Sequence, residues 1–518
     1  MHAVDDEAPL LTPTLRRRAF IVLALLLVLI LLIVLPPYLN VNRYQRRVAS
    51  AISASLGRSV HLDSIVVHIL PLPGFTIQNF VVNDDPAFSA EPVMRANIVE
   101  ARLRFASLWR RRIEISHITL DTPSINLVRR ADGAWNLQSI LMQASQLDSA
   151  PTAQQRAGTA PRFPYIEATD ARINIKLGDD KLPFSVTQAD VALWLPQPNQ
   201  WRLRFLGHPV RTDTDVSDTG SLRVEATLGR AANLSSATVD LDATWKPTPL
   251  GEAAKLIVGR DLGWRGDVSA ELHLTGTLAH AHATSDLILA GLRRADFVPA
   301  TTLTANIHCD ATALNQLHAL QDIRCTMPTA DAGSPTLILT GDMPTVTAPD
   351  TASLQLQLDD APPAYALAWA RLFTKRIPAD VPLTGSLDLT LQHAASTAWH
   401  ATANCICTLA SSAQPTLWTI RLASDPALPD TLSLQAARDS TPSLTGRIDT
   451  SGYTLLYTSA DVATAVATTL PPLGDAMPAD ATGPQQAQRT WNGPQTWAAA
   501  TPAFHKPAAR HRSRTSSR

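Results

Sequence analysis

The sequence is poor in charge. Its 518 residues include 44 Lys and Arg against 45 Asp and Glu, and only 17% of residues are charged. A protein that binds nucleic acid through its surface would show a basic excess, and a solvated acidic chain would show an acidic one. The composition argues against both classes, and we expect no nucleic acid among the partners of this protein.

Cysteine is also scarce, since the chain has only Cys309, Cys325, Cys405 and Cys407, and no C-x-x-C. The usual zinc-ribbon and thioredoxin signatures are therefore missing. Cys309 and Cys325 close a loop that would join neighbouring strands, and we expect a disulfide between them in an oxidising compartment. The i, i+2 spacing of Cys405 and Cys407 places both thiols on one face of a strand. These two cysteines are either buried or bridged, or they form a redox or metal site.

The common catalytic motifs are absent. The sequence contains no G-x-S-x-G, H-E-x-x-H or G-x-x-x-x-G-K-[ST]. His280 and His282 have the strand spacing of two zinc ligands on one face, but the nearby sequence offers no evident third ligand. We therefore expect no catalysis, no metal and no cofactor.

One long apolar run stands near the N-terminus. Residues 19–35 contain no polar side chain, and residues 36–39 extend the run to about the 20 residues that a bilayer requires. Arg16, Arg17 and Arg18 precede it, which predicts a cytoplasmic N-terminus. Because no small-x-small cleavage site follows, an uncleaved signal anchor is favoured over a cleaved signal peptide. We expect a single-pass inner-membrane protein whose bulk lies in the periplasm.

The body of the chain has the pattern of a β protein. Arg43 to Leu56 has the pattern of an amphipathic helix that ends at Gly57. Beyond Gly57, apolar residues alternate with polar ones in many short runs, which predicts a large antiparallel sheet with few helices. Two such runs supply Ile173, Ile175, Leu177, Leu222 and Val224.

Two further helices and a tail complete the predicted organisation. Helices are expected at Leu250 to Val258 and at Ala364 to Lys375, and each precedes a similar L-x-G-x-L-x-L phrase. From about Thr464 the chain is rich in Ala, Pro, Thr and Gln, which predicts disorder. The basic end of this tail is either solvated or binds an anionic lipid, polymer or nucleic acid. The expected segments are residues 1–15 (cytoplasmic), 16–39 (signal anchor), 40–150 (helix plus β), 151–345 (β-rich), 346–463 (second β-rich region) and 464–518 (tail).

An ordered set of short motifs between residues 57 and 141 resembles the N-terminal region of the AsmA family. The set also includes a basic L-x-R-R-x-I-like segment, and residues 245–345 are similar to the middle of some AsmA-like proteins. The motifs are Gly57-Arg58-Ser59-Val60, Pro71-Leu72-Pro73-Gly74, Asp85-Pro86-Ala87-Phe88, Leu108 to Ile113, Pro123 to Arg129 and Asp132 to Asn136.

The resemblance implies a fold and a function. AsmA-like proteins resemble bridge-like lipid-transfer proteins, whose N-terminal region is similar to the chorein domain. The implied fold is a long, curved antiparallel sheet that forms a U-shaped trough, with acyl chains on its apolar concave face. The implied partners are membrane phospholipid, the inner membrane and an outer-membrane or periplasmic protein. The alternative is an anchored scaffold or assembly factor for outer-membrane proteins that transports no lipid.

Particular residues acquire expected roles from these patterns. Pro123 fits a strand start, Asp132 and Gly133 fit a tight turn, and Asn136 is expected to cap a helix over residues 137–146. Trp135 is expected to pack back against the sheet. Lipid-trough candidates are Ile173, Ile175, Leu177, Leu222 and Val224; basic residues expected at the membrane surface are Arg43, Arg46, Arg47, Arg110, Arg111 and Arg112; structural motif residues are Gly57, Arg58, Pro71, Gly74, Pro123, Arg129, Gly133, Trp135 and Asn136. Arg129 and Arg130 are expected to pair with Asp132 or to face lipid headgroups.

Overall fold

In the computed structural model, the protein consists of two compact units. The first comprises residues 1–212 and 223–234, and the second comprises residues 213–222 and 235–518. Both are mainly β with few short helices, as the sequence predicts. The structure describes residues 13–34, 45–46, 49–50, 52–53, 56–68, 72–104, 115–130, 132–140, 164–178, 180–197, 200–229, 231, 234–296, 298–299, 301–328, 336–346, 348–372, 383–395, 397–410, 415–425, 428–449, 452–457 and 485–490.

The first unit begins with helix α1, Pro13–Val34, which contains most of the apolar run. The large apolar side chains from Phe20 to Ile30 are exposed. Among the described residues, no helix combines the length and the apolar character that crossing a membrane requires. The anchor expected over residues 16–39 therefore stays a prediction.

A helical segment follows at residues 45–56, in agreement with the predicted amphipathic helix. All of its described residues are helical. Ala49, Ile52 and Leu56 recur at helical spacing and pack against the core of the first unit. The segment ends at Gly57, whose φ of 65° is the left-handed conformation that commonly terminates helices.

The strands of the first unit form a mixed sheet, which corrects the prediction of a purely antiparallel one. Strands β5 and β6 both run parallel to β7, whereas β3 with β4 and β7 with β8 are antiparallel. The connection from β6 to β7 spans about 35 residues, and a parallel pairing needs a crossover of a dozen or more. The strands are β1 Val60–His61, β2 Ser64–His68, β3 Gly74–Val82, β4 Met94–Leu103, β5 Ile115–Asp121, β6 Ser124–Arg129, β7 Tyr165–Leu177, β8 Asp180–Gln197, β9 Gln200–Arg211 and β10 Leu222–Gly229.

The described strands of the second unit form an antiparallel meander. Each strand from β11 to β23 pairs with the next one along the chain. In this unit the antiparallel prediction is confirmed. The strands are β11 Thr238–Pro249, β12 Trp264–Thr277, β13 His280–Arg294, β14 Leu303–Leu314, β15 Ala319–Pro328, β16 Thr336–Met343, β17 Ser353–Ala361, β18 Leu383–His393, β19 His400–Ala410, β20 Pro415–Asp425, β21 Leu428–Arg438, β22 Thr441–Ile448, β23 Gly452–Tyr457 and β24 Gln485–Thr490.

Two helices interrupt this meander at equivalent places. Helix α2, Leu250–Val258, follows β11, and helix α3, Pro363–Ala370, follows β17, six strands later. Each helix begins from an extended proline, Pro249 or Pro362, and α2 ends at the left-handed Gly259. Both helices were predicted, although α3 ends earlier than residue 375.

Strand β24 lies within the tail that the composition predicts to be disordered. Gln485–Thr490 pairs antiparallel with β23. This pairing uses backbone N–H and C=O groups, so it does not depend on the apolar content of the tail. The prediction is wrong for these six residues, and the remainder of residues 464–518 lies outside the described part of the chain.

Gly385 provides a test of the strand packing in the second unit. Its φ is 131°, and an added Cβ would lie 2.0 Å from the carbonyl oxygen of Ile406. We expect Gly385→Ala to lower the free energy of unfolding by about 3 kcal/mol, because backbone atoms cannot yield as a side chain can. Gly178→Ala is the control: φ is 58° there, but nothing lies within 4 Å of the added Cβ, and a loss of about 1 kcal/mol is expected. Chemical denaturation followed by circular dichroism measures both, and equal losses would contradict the close approach at Gly385.

Candidate functional site

The most extensive feature of the second unit is an apolar row that crosses successive strands. Its members stand opposite one another in register, and eight of the nine are apolar or cysteine. The row consists of Ala243, Leu272, Ser285, Cys309, Cys325, Leu339, Leu356, Leu391 and Ala401, from β11 to β19. Because register is maintained across nine strands, these side chains share one face of the sheet.

The neighbouring register row points to the opposite face and is entirely polar. Each of its members lies one residue from a member of the apolar row. It consists of Asp242, His273, Thr284, Asp310, Arg324, Thr340, Gln355, Gln392 and His400. Along these two rows, the sheet from β11 to β19 therefore has one apolar and one polar face.

The apolar row is half-buried along its whole length. Nearer the strand ends the same face is fully buried, as at Leu274 and Ala281 on one side and at Val268 and Leu292 on the other. The half-buried side chains thus form a stripe across the middle of the strands. An apolar stripe of this extent is the kind of surface that ordinarily receives a ligand or a partner.

The first unit also has an apolar row in register, but other residues cover this row. Ile77, Val99, Leu120 and Ala168 stand in register across β3, β4, β5 and β7, and each is at most 6% exposed. The helical segment of residues 45–56 packs against this cluster. The apolar face is therefore a closed core on this side of the first unit.

The predicted lipid-contacting residues of β7 lie where the cover is less complete. Ile173 and Ile175 are half-buried and Leu177 is 44% exposed. They stand opposite Ile125, Leu127 and Arg129 of β6. Of the other candidates, Leu222 and Val224 share one face of β10 and are half-buried. The structure therefore leaves the apolar candidates partly accessible.

The opposite face of β7 carries a buried polar layer that sequence reasoning missed. Asn174, Lys176 and Ser185 are 8%, 4% and 2% exposed. The Asn174 side chain donates to Asn126 Oδ1 at 3.0 Å and accepts from Ser185 Oγ at 3.2 Å, and Lys176 Nζ lies 3.0 Å from Glu91. At Asn174 and Lys176 the polar face of β7 is therefore buried and its side chains have partners, while the apolar face of the strand is partly open.

The motif residues Arg58 and Asn136 meet Asp84 and Ser139 in a second polar cluster, in which Asn136 and the Asp84 side chain are buried and Ser139 is exposed. The Asp84 side chain is fully buried and accepts a hydrogen bond from Asn136 Nδ2 at 2.7 Å. Arg58 lies 3.6 Å from Asp84 and donates to Ser139 Oγ at 2.6 Å. Residues far apart in the sequence are thereby fixed to one another.

The role of Asn136 differs from the expected helix cap. Its backbone is already helical, and its side chain is buried against β6. Asn136 Oδ1 accepts from the N–H of Val128 at 3.1 Å, and Nδ2 also donates to the carbonyl of Asn126 at 2.9 Å. The Asn136 amide does not cap the helix because it forms hydrogen bonds with backbone groups of β6. Without it, the turn would leave these groups buried and unpaired. Residues 137–140 are helical, and residues 141–146 of the predicted helix lie outside the described residues.

The turn before Asn136 returns the chain onto β6. Gly133 has a φ of 87°, and Trp135 forms an antiparallel bridge with Arg129. The Arg129 guanidinium lies 5.7 Å from the centre of the Trp135 ring. Arg130 pairs with Asp132, which lowers the pKa of that carboxyl through their hydrogen bond. Trp135 therefore packs back on the sheet, as expected.

A comparison with family models identifies this region. The AsmA family model matches residues 14–176, about a third of the chain. Residues 14–176 are therefore similar to the AsmA family. Comparison with curated proteins and with solved structures gives no match. The resemblance seen in the motifs is thus confirmed over this part of the chain.

Other AsmA motif residues have packing roles. An added Cβ on Gly74 would lie 2.6 Å from the carbonyl oxygen of Ala101, so only glycine allows β3 to approach β4 there. Pro123 lies in the bend just before β6, where its missing N–H is tolerated, as predicted. Pro71 lies outside the described residues.

The predicted membrane-surface arginines are mostly untested. Arg46 is exposed on the 45–56 helical segment. Arg43, Arg47 and residues 110–112 lie outside the described residues, so no grouping of these basic side chains is described.

The cysteines lie on the apolar face of the second unit. Cys309 and Cys325 stand directly opposite each other on β14 and β15 and form the predicted disulfide. Cys405 and Cys407 are buried on one face of β19, as their spacing predicts, and their sulfurs are joined.

The polar face carries two groupings of carboxylates with histidine. Asp240, Asp242 and His273 bring ligand atoms within 4.8 Å of one another, and all three are exposed. His308 Nδ1 lies 2.7 Å from Asp286, with Asp310 on its other side. The signal in the sequence is a set of aspartates that lie opposite a histidine on a neighbouring strand. It can be recognised only when the strand register is known.

Asn136 offers a test of the AsmA motif cluster. Asn136→Ala leaves the buried Asp84 carboxylate without one donor and the Val128 N–H without its acceptor. We expect the free energy of unfolding to fall by about 2–4 kcal/mol. Asn83→Ala, which removes an exposed bond to Ser59, is the matched control and should cost less than about 1 kcal/mol. Similar losses in a denaturation experiment would show that the cluster is dispensable.

The His308 grouping predicts a pH dependence. The hydrogen bond to Asp286 raises the pKa of His308 above its ordinary value of 6.5. A histidine whose pKa is raised in the folded state contributes its full stabilisation below the unfolded-state pKa. This stabilisation is lost as the pH rises through the folded-state pKa. We expect the free energy of unfolding to be higher for wild type than for His308→Asn, and this difference to be about 0.5 kcal/mol larger at pH 6 than at pH 9. The effect is small because the His308–Asp286 pair is half-exposed and screened by solvent. Urea titrations at both pH values measure this, with His280→Asn as control, and a gap that widens towards pH 9 would contradict it.

Proposed function

We propose that this protein is a membrane-anchored envelope protein that holds phospholipid acyl chains on its apolar sheet face and helps to move lipid towards the outer membrane. The observation that carries the proposal is the pair of register rows in the second unit, one apolar and the other wholly polar. The family match over residues 14–176 supports a role in envelope biogenesis.

The half-buried state of the apolar row suits a mobile acyl chain. Each CH₂ group removed from water contributes about 0.8 kcal/mol, whether it is covered by a bilayer or by protein side chains. Leu339, Leu356 and Leu391 retain exposed apolar surface that such a chain would cover. Exchange between bilayer and protein is then nearly balanced, which permits sliding along the row.

The cover in the first unit limits where acyl chains are held. The 45–56 helical segment already occupies the apolar face over β3 to β5. Acyl chains are therefore proposed to contact β6 and β7 in this unit, and the stripe across β11 to β19 in the other.

The anchor and the location belong to the same proposal. The large apolar side chains from Phe20 to Ile30 are 49–74% exposed. A continuous apolar surface of this kind is unfavourable in water and favourable in lipid. We place the anchor at residues 16–39 in the inner membrane, with the N-terminus cytoplasmic and the bulk of the chain periplasmic.

The proposed activity breaks no bond. Holding and releasing lipid requires apolar contacts and no acid, base or nucleophile, so the protein acts as a carrier and not as an enzyme. Its partners are membrane phospholipid and a protein at the outer membrane or in the periplasm.

A pair of matched double variants tests the proposal. Leu339→Asp with Leu356→Asp places two carboxylates on the apolar row, while Thr340→Asp with Gln355→Asp places them on the polar row of the same strands. We expect the first variant to lose most of its co-purifying phospholipid, because each carboxylate would have to be desolvated beside an acyl chain. The second should retain it.

Lipid is measured by native mass spectrometry of the full chain in mild detergent, with circular dichroism to verify folding. Equal lipid in both folded variants, or no lipid above that of an unrelated single-pass protein with the wild type, would contradict the proposal. The second outcome would favour the scaffold alternative, which predicts that a protein layer covers the apolar face.

A further inference from the structure

The face of the first unit that lies opposite its core carries a row of rings and arginines at one end of the strands. Register defines this row across β2, β3, β4, β5 and β7, and it continues onto β8 and β9. The members on β3, β4, β5 and β7 lie three residues from the buried row of Ile77, Val99, Leu120 and Ala168, so they point to the opposite face. The row, called the terminal row, consists of His68, Gly74, Arg102, His117, Tyr165, Trp194 and Arg202.

The rings of the terminal row contact one another in series. The ring centres of His117 and Tyr165 are 5.0 Å apart, and those of Tyr165 and Trp194 are 5.7 Å apart. The Arg204 guanidinium lies 5.8 Å from the centre of the Trp194 ring. All three rings are half-buried, so each keeps an accessible part. Aromatic side chains with an apolar body and a polar tip are suited to the boundary between water and lipid.

The charges on β4 to β9 are ordered by their distance from the strand ends. Arg102 and Arg202 in the terminal row are exposed, and no member of that row is acidic. The carboxylates stand one step further from the strand ends: Glu100 lies two residues before Arg102, and Glu167 lies 3.3 Å from His117 Nε2. Positive charge is therefore nearest the strand ends.

The carboxylate near the β9 arginines has a closer partner. Glu225 accepts a hydrogen bond from Arg223 at 2.5 Å, and this bond is the main cause of its lowered pKa. Arg204 and Arg202 contribute less to the lowering. This end of the sheet thus presents more arginine than carboxylate, which complements an anionic surface.

The linker from helix α1 is long enough to bring the terminal row to the membrane. Residues 35–44 separate the end of α1 from Gln45, and ten residues span at most about 36 Å. Gln45 Nε2 donates to the carbonyl of Asp63 at 3.0 Å. Five residues of β2, about 16 Å, separate Asp63 from His68 of the terminal row. A bilayer that holds α1 is therefore within reach of the terminal row.

We propose that the terminal row is a docking surface for the anionic lipid headgroups around the anchor, so that the strand ends of the first unit rest on the bilayer. This inference rests on the proposed function, because it needs the anchor, and it adds the orientation of the first unit. Arg102 and Arg202 bind lipid phosphates, and the rings of Tyr165 and Trp194 lie at the level of the glycerol groups. The carboxylates one step away stay in water.

The test places a fluorophore at two arginines of one strand. Both cysteine pairs are joined, so a single added cysteine can be labelled selectively in the full chain. Arg102→Cys labels the terminal row, and Arg95→Cys, also exposed on β4, is the matched control. The chain is reconstituted in nanodiscs that contain phosphatidylglycerol, where a nitroxide on the lipid headgroup quenches the fluorophore. We expect quenching about threefold stronger at residue 102 than at residue 95, because seven residues of strand separate them by about 23 Å.

Two changes should release the terminal row without removing the anchor. Quenching at residue 102 should fall to the level at residue 95 when phosphatidylcholine replaces phosphatidylglycerol, since the attraction of surface arginines requires anionic lipid. Trp194→Ser with Arg202→Gln should have the same effect, whereas Arg223→Gln should leave the quenching unchanged. Circular dichroism verifies that each variant is folded.

The outcomes separate this surface from the wider proposal. Equal quenching at residues 102 and 95, in nanodiscs that retain the chain, would overturn docking and leave the anchor and the lipid-holding face in place. Quenching at residue 102 that survives both changes would show that the linker alone keeps the unit near the bilayer, and it would overturn the terminal row as well. If the full chain does not remain with the nanodiscs, the proposed anchor fails together with this inference.

Discussion

Side chains alternate between the two faces of each strand, and the register between strands keeps this alternation aligned from β11 to β19. A register slip of one residue would move every side chain to the other face. Across nine strands no such slip occurs between Ala243 and Ala401. The bulges, such as the one between Leu358 and Ala361, lie nearer the strand ends. The protein can therefore keep one face apolar over many strands with only short turns and small helices.

The two units use this alternation differently. In the first, the 45–56 helical segment closes most of the apolar face, and buried polar clusters fix the motif loops around Arg58, Asp84 and Asn136. The second unit leaves a half-buried stripe across its strands. Buried polar groups are costly unless all of them are paired, so they specify one arrangement of the loops. The first unit is thus suited to positioning, and the second to contact with an apolar ligand.

Much of the fold can be predicted from the sequence, because the spacing of apolar residues and the positions of Gly and Pro are local signals. The alternation around Ile173 and Ile175, the stop at Gly57 and helix α2 all follow from patterns within about ten residues. What escapes prediction is pairing over distance: the parallel approach of β5 and β6 to β7, the buried Asn174 and Lys176, and the burial of the Asn136 amide against β6. Each depends on which segments meet, and propensity does not encode that.

Site-specific photocrosslinking can show which face of the sheet contacts lipid. A benzophenone side chain is placed in turn at Leu339, Thr340, Gln355 and Leu356 of the full chain in native membranes, and the crosslinked products are identified by mass spectrometry. We expect phospholipid adducts at Leu339 and Leu356 and few at Thr340 and Gln355, since adjacent residues face opposite sides of the sheet. Equal lipid adducts at all four positions, or protein adducts at Leu339 and Leu356, would contradict it.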